Sequence, residues 1–164
     1  MFVTTMNDVF LLLGANLGNR RTHLQKAVQL LEKEVGTIVK QSSFYETQAW
    51  GKTDEPDYLN QVVQIDTALP PELLLQKILD IELLMGRKRV EKWGSRIIDI
   101  DILFYDSDII SLPRLEIPHP ELHKRRFTLE PLSEIAPELV HPVFHKTIVQ
   151  LKNELNDNLH VKKL

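Results

Sequence analysis

The chain predicts an α+β fold built on a βαββαβ core, its sheet antiparallel and its helices on one face, with a C-terminal hairpin and further helices added. Three observations carry this. Apolar or β-branched runs of strand length occur near Val9, Thr37, Tyr58 and Ile98. Two longer segments between them repeat their apolar residues at helical spacing. Glycine or proline punctuates nearly every junction.

Val9–Gly14 is a short, continuous apolar run ending in glycine, as a buried strand would be. Leu24, Ala27, Val28, Leu31 and Val35 then follow the i, i+3, i+4, i+7 pattern of an amphipathic helix. Asn19 and Thr22 are candidate caps at its start, and Gly36 can end it. Thr37–Thr47 is rich in β-branched and aromatic residues and reads as one strand. Trp50–Asp57 is polar and holds Gly51 and Pro56, so a loop is expected. Tyr58–Thr67 is the next strand. Pro70-Pro71 opens a helix where proline is tolerated. Leu74, Ile78, Ile81 and Met85 share its inner face, and Gly86 closes it. A charged loop, Gly86–Ser95, leads into the strand Arg96–Tyr105. A hairpin near Asp106–Ile117 and helices near Thr128–Ile135 and Thr147–Leu155 complete the chain. This order is the ferredoxin-like, split βαβ pattern. It places both long helices on one face of the sheet and leaves the other face to carry a site.

Composition narrows the function classes. The 164 residues suit a single domain, 1–164, and the net charge of −3 argues against a general nucleic-acid binder. With no cysteine there are no disulfides and no thiolate metal site. No basic-then-apolar leader opens the chain, and no apolar run approaches a membrane span. A cytoplasmic protein with no membrane partner is expected.

The stretch W-G-S-R-I-I-D-I-D-I-L-F-Y-D, residues 93–106, sets two carboxylates inside an apolar run. Strand alternation puts Ile98, Ile100, Ile102 and Phe104 on one face with Arg96. Asp99 and Asp101 fall on the other, with Ile97, Leu103 and Tyr105. Paired like charges repel, and a hard divalent cation offsets this well. Mg²⁺ commonly takes one or two protein carboxylates plus substrate phosphates. A lone D-x-D more often marks a solvated face. Here, though, Arg87, Lys88, Arg89, Lys92 and Arg96 precede it, opposed only by Glu91, and Trp93 sits among them. Arginines clamp phosphate oxygens, so the combination favours Mg²⁺-assisted phosphoryl-type transfer over a merely solvated charged loop.

Other clusters are weaker. His119 lies between Pro118 and Pro120, with Arg114 before it and Lys124, Arg125 and Arg126 after, which suits contact with phosphate. Gly14-Ala15-Asn16-Leu17-Gly18 lacks the spacing of a phosphate loop, so turn chemistry is the stronger reading. Tyr58 and Asn60 share a strand face and offer a ring and an amide to a flat heterocycle. Alone they would be ordinary strand residues.

With G-A-N-L-G, S-S-F-Y-E-T, P-D-Y-L-N, I-E-x-x-M-G-R-K-R, K-W-G-S-R-I-I-D-I-D-I-L and I-P-H-P-x-L-x-x-R-x-F in this order, the chain resembles the 6-hydroxymethyl-7,8-dihydropterin pyrophosphokinases of folate biosynthesis. The resemblance runs from about residue 9 to 140 and implies pyrophosphate transfer from ATP to the pterin hydroxymethyl group, releasing AMP. It implies two Mg²⁺ ions on Asp99 and Asp101, with Arg87 and Arg96 also in the catalytic set. It implies a pterin pocket of Thr47, Trp50, Tyr58, Asn60, Trp93 and Phe127. The ATP side would draw on Glu82, Arg87, Arg89, Trp93, Arg96, Ile102, Arg114, His119 and Arg125, in a monomer. Gln48-Ala49-Trp50 departs from the proline-proline-aliphatic run of many members, and Pro120 and Glu116 are further departures. The alternatives are another Mg²⁺-dependent nucleotidyl- or phosphoryl-transferase on the same scaffold and a nucleotide-sensing module without turnover.

Overall fold

The computed structural model describes residues 5–47, 57–86, 97–157 and 159–164. In chain order the elements are β1 (Asn7–Ala15), α1 (Arg20–Glu34), β2 (Gly36–Gln41), β3 (Tyr45–Thr47), β4 (Tyr58–Thr67), α2 (Pro71–Leu84) and β5 (Asp99–Tyr105). Then come β6 (Ile110–Leu112), β7 (Leu115–Ile117), α3 (Arg126–Ile135), α4 (Ile148–Asn153) and β8 (Val161–Lys163). The main sheet runs β5-β1-β4-β3-β8, with β2 also on β4, and its pairings are antiparallel. β6 and β7 form the separate hairpin.

The expected βαββαβ core is present, and its long helices cover one face. Val9, Leu11 and Leu13 of β1, Val63 and Ile65 of β4, and Ile100 and Ile102 of β5 meet Leu24, Ala27, Val28 and Leu31 of α1 and Leu74, Ile78 and Ile81 of α2. Asn19 caps α1 by accepting the Thr22 amide. Gly86 follows α2 at φ +93, a conformation glycine adopts without the Cβ clash of other residues.

The opposite face is only partly open. Phe10, Leu12, Val62, Leu103 and Phe104 pack there against Leu129 and Leu132 of α3 and Ile148 and Leu151 of α4. Thr147 caps α4 through a reciprocal pair with Gln150. The C-terminal helices thus roof one end of this face and leave the end near Gly14 and Asp99 outside the second core.

Two departures from simple strand reading have local causes. The segment expected as one strand over Thr37–Thr47 divides into β2 and β3. Gln41 stands opposite Val63 but Tyr45 stands opposite Asn60, so one extra residue is absorbed between them. There the Val62 amide donates to Ser42 Oγ at 2.9 Å and Gln61 Nε2 donates to the Ser42 carbonyl, replacing ladder bonds. The second departure is in β5. Phe104 pairs with Phe10 but Ile102 pairs with Leu11, so Leu103 is an extra residue in a bulge. Alternation breaks there. Phe104 joins Leu103 in the second core, and Tyr105 crosses to the helix side, its hydroxyl donating to the Leu69 carbonyl at 2.7 Å. The expected placements of these two residues are therefore reversed.

β8 was not anticipated. It adds to the free edge of β3. Among the described residues no helix is long and apolar enough to cross a membrane.

Candidate active site

Strand register builds the site. Asn60 of β4 stands opposite Gly14 of β1, and Gly14 stands opposite Asp99 of β5. In the adjacent row Val62, Leu12 and Asp101 line up in the same way. Leu12 and Val62 belong to the second core, so strand alternation turns Asn60, Asp99 and Asp101 to that same side. Gly14 contributes no side chain between Asn60 and Asp99. A Cβ there would lie 2.6 Å from Asn60 Nδ2. Asn60 is buried, and its Nδ2 donates to the Leu13 carbonyl at 3.3 Å.

Asp99 and Asp101 are both half-buried, two residues apart at the start of β5. His119 reaches them from the segment after β7. Its amide donates to the Leu103 carbonyl at 3.0 Å, the carbonyl of the bulged residue. Its Nε2 lies 4.0 Å from Asp101 Oδ2. Burial first, then the Arg125 cation, lowers the His119 pKa to about 4, against the opposing pull of Glu121 and Asp99. The imidazole is therefore neutral at pH 7, and the pairing with Asp101 is not an ion pair there. Its Nδ1 accepts the Glu121 amide at 3.1 Å, so the neutral ring carries its proton on Nε2, toward Asp101. Arg125 lies over the Phe127 ring, 5.5 Å from its centroid.

The remaining expected residues take varied places. Thr47 and Tyr58 form the last rung of the β3–β4 pair. The Thr47 hydroxyl is buried and has no hydrogen-bond partner among the described residues. Glu82 is buried beneath β5, where its carboxylate accepts the Ile100 amide at 2.9 Å. It thereby holds the strand start that bears both aspartates. Ile102 packs into the helix-side core, so its side chain faces away from Asp101. Arg114 is exposed in the β6–β7 turn, beside a pocket of about 310 Å³ that Glu72, Leu75 and Gln76 of α2 also line. Trp50, Arg87, Arg89, Trp93 and Arg96 lie outside the described residues. In the sequence Gly14 reads as the end of the first strand and the start of a turn. Its place between Asn60 and Asp99 follows only from the pairing register.

The donor set fits a hard cation. Two half-buried carboxylates offer oxygen ligands, and a neutral imidazole adds no competing positive charge. Among the described residues no cluster of three or more His, Asp or Glu side chains forms a ready metal cage. A cation here would complete its shell from a ligand such as a phosphate.

A model of the family "7,8-dihydro-6-hydroxymethylpterin-pyrophosphokinase" matches residues 10–137. A 2-amino-4-hydroxy-6-hydroxymethyldihydropteridine pyrophosphokinase of Aquifex aeolicus is 44% identical over 149 residues, spanning 91% of this chain and 92% of that protein. The protein of that name from Haemophilus influenzae is 39% identical over 158 residues, spanning 96% and 98%. The crystal structure of wild-type Plasmodium falciparum HPPK-DHPS with STZ-DHP superposes with a TM-score of 0.73 at 23% identity. It covers 93% of this chain but 42% of that longer one. At that identity the superposition speaks to the fold, which is that of the ferredoxin-like pyrophosphokinase domains.

Proposed function

Because this chain belongs to the 7,8-dihydro-6-hydroxymethylpterin-pyrophosphokinase family, an ATP-dependent diphosphokinase family of folate biosynthesis, we propose that the Asn60–Gly14–Asp99 row is the centre of its active site. There the pyrophosphoryl group passes from ATP to the hydroxymethyl oxygen of 6-hydroxymethyl-7,8-dihydropterin, and AMP leaves. The register that sets an amide and a carboxylate on either side of a bare glycine carries this reading. It lets the Asn60 amide lie close over the β1 backbone, where it can hold the edge of a flat ring, with the carboxylates for phosphate chemistry on the neighbouring strand.

On the pterin side, the Asn60 amide supplies a donor and an acceptor to the ring edge, and the unpartnered Thr47 hydroxyl offers another. Tyr58 and Phe127 supply aromatic surface, with Trp50 and Trp93 expected to join them. On the phosphate side, Asp99 and Asp101 would hold two Mg²⁺ ions, which would supply positive charge to offset that of the phosphates. His119 presents its Nε2–H without adding charge, and Arg125 beside it stabilises the growing negative charge. Arg114 and the pocket beside it take the nucleotide end, and Arg87, Arg89 and Arg96 are expected on the triphosphate. Glu82 acts through the Ile100 amide as a positioning residue. The pterin oxygen attacks the β-phosphorus in line with the departing AMP oxygen. Transfer of this kind rests on alignment and charge stabilisation, so no strong base is needed beside the hydroxyl.

The test is product analysis after incubation with ATP, Mg²⁺ and 6-hydroxymethyl-7,8-dihydropterin. AMP formed in step with pterin pyrophosphate is the expected result. ADP would mark an ordinary kinase, free pyrophosphate a nucleotidyltransferase, and binding without turnover a sensor.

A further inference from the structure

We propose that Arg20, the first residue of α1, is a positioning residue for the pterin end of the site. The proposal rests on the reading above that Thr47, Tyr58 and Asn60 face the pterin. Arg20 Nη2 donates to Glu46 Oε2 at 2.7 Å, and Nη1 donates to the Asp57 carbonyl at 2.8 Å. Glu46 directly precedes Thr47 in β3, and Asp57 directly precedes Tyr58 at the start of β4. A single planar guanidinium therefore ties both strands at their shared end. The β3–β4 pairing has three rungs, Tyr45–Asn60, Glu46–Leu59 and Thr47–Tyr58. Two of those three carry residues assigned to the pterin. A short pairing at a sheet end frays readily, and the rigid fork of arginine suits the task of holding it.

The position of Arg20 supports a purpose beyond the helix. α1 begins with two arginines and has no acidic residue in its first turn, the reverse of what the helix dipole favours. Both cations turn to the strand instead. Arg21 lies over the Phe44 ring at 5.0 Å, just before β3, while Arg20 takes Glu46 and Asp57. The Arg20 and Glu46 side chains are each 28% exposed. Solvent therefore weakens the pair's contribution to global stability, but the geometric constraint on the Thr47–Tyr58 rung remains.

The experiment compares Arg20→Ala, Arg20→Lys, Glu46→Gln and Asn60→Ala in steady-state AMP release, varying each substrate, with thermal unfolding alongside. Arg20→Ala should raise KM for the dihydropterin about tenfold, as displacement of one hydrogen-bonding contact would, and leave KM for ATP within about twofold. Its unfolding temperature should fall by only about 2–4 °C. Arg20→Lys, which offers a point charge in place of the fork, should recover part of the loss. Glu46→Gln keeps an acceptor without the charge and should fall between, and it decides the matter if Arg20→Ala does not fold. Asn60→Ala must raise the same KM. If it does not, the pterin assignment fails and this proposal with it. If Asn60→Ala does so while Arg20→Ala and Glu46→Gln leave pterin KM unchanged, or move both KM values together with lost stability, the positioning role is overturned.

Discussion

Gly14→Ala is a one-methyl test of the seat of the Asn60 amide. The new carbon would lie 2.6 Å from Asn60 Nδ2, whereas contacting heavy atoms settle near about 3.5–4.0 Å. The amide must therefore retreat by roughly 1 Å. It would give up its bond to the Leu13 carbonyl in a buried setting, a loss of about 1–3 kcal/mol. Replacing a strand glycine returns about 0.5–1 kcal/mol of backbone entropy. The net loss of stability is then roughly 0–2.5 kcal/mol, or a fall in Tm of up to about 10 °C for a domain of this size. Catalysis should suffer more. The methyl enters the space between Asn60 and Asp99 while the amide that would hold the ring edge is displaced. A loss of one to two hydrogen bonds to the substrate lowers kcat/KM for the dihydropterin by roughly 10- to 100-fold. KM for ATP should stay within about twofold of the parent. The assay is AMP release at saturating ATP with the pterin varied, paired with calorimetry. A variant that unfolds normally and keeps the parent kcat/KM for the pterin would refute the role given to the Asn60 amide.

Three further outcomes are expected. Asp101→Asn should lower turnover by at least about 100-fold, with Tm nearly unchanged because the side chain is half-exposed, as read by AMP release and calorimetry. Phe104→Ala removes a fully buried ring that meets Phe10 edge-on at 6.4 Å. It should cost about 3–5 kcal/mol in denaturant unfolding. Acid should destabilise the fold through His141, whose pKa is lowered to about 4, mainly by burial and then by His123 and His145. Between about pH 4 and the ordinary histidine value near 6.5 the unfolded chain binds the extra proton, so stability is full above that window and declines as pH falls through it. Tm measured at pH 7.5, 5.5 and 4.5 should trace this decline. His141→Asn, which keeps an acceptor for the Val143 and Phe144 amides now bonded to His141 Nδ1, should make it shallower, the decline that remains belonging to His119, whose pKa is lowered to about 4 as well.

What the sequence made legible was periodic. The helix-face spacing of Leu24–Leu31 and Leu74–Ile81, the alternation through Ile98–Ile102 and the punctuation at Pro70-Pro71 and Gly86 reappear as layers and ends. What it hid was pairwise. Nothing local marks Ser42 as the point where β2 and β3 part, because the cause is the Val62 amide on a strand met later. β8 is three mostly polar residues, too short for a pattern, and it forms because the edge of β3 offers unpaired backbone. Glu82 reads as a charged residue on the core side of a helix, and its purpose appears only with the Ile100 amide above it. The carboxylate pair of the candidate site was visible in one dimension. The row beside it was not, since Gly14, Asn60 and Asp99 become neighbours only through two strand pairings.

The bulge at Leu103 ties the irregular features of β5 to the proposed chemistry. Strict alternation would have left Phe104 among the core residues under α1 and α2. The extra residue instead sends Phe104 into the core beneath α3 and α4. That core anchors the helix bearing Phe127. The same bulge directs the Leu103 carbonyl to the His119 amide rather than to β1. His119 is thus held by backbone on one side and by Glu121 through Nδ1 on the other, which leaves only Nε2–H free to face Asp101. Burial and Arg125 keep the ring neutral, so it can donate to a phosphate oxygen without competing for the carboxylates. A flat, unbroken strand would bring Asp99 and Asp101 to the same face but would place neither the histidine nor the aromatic wall around them.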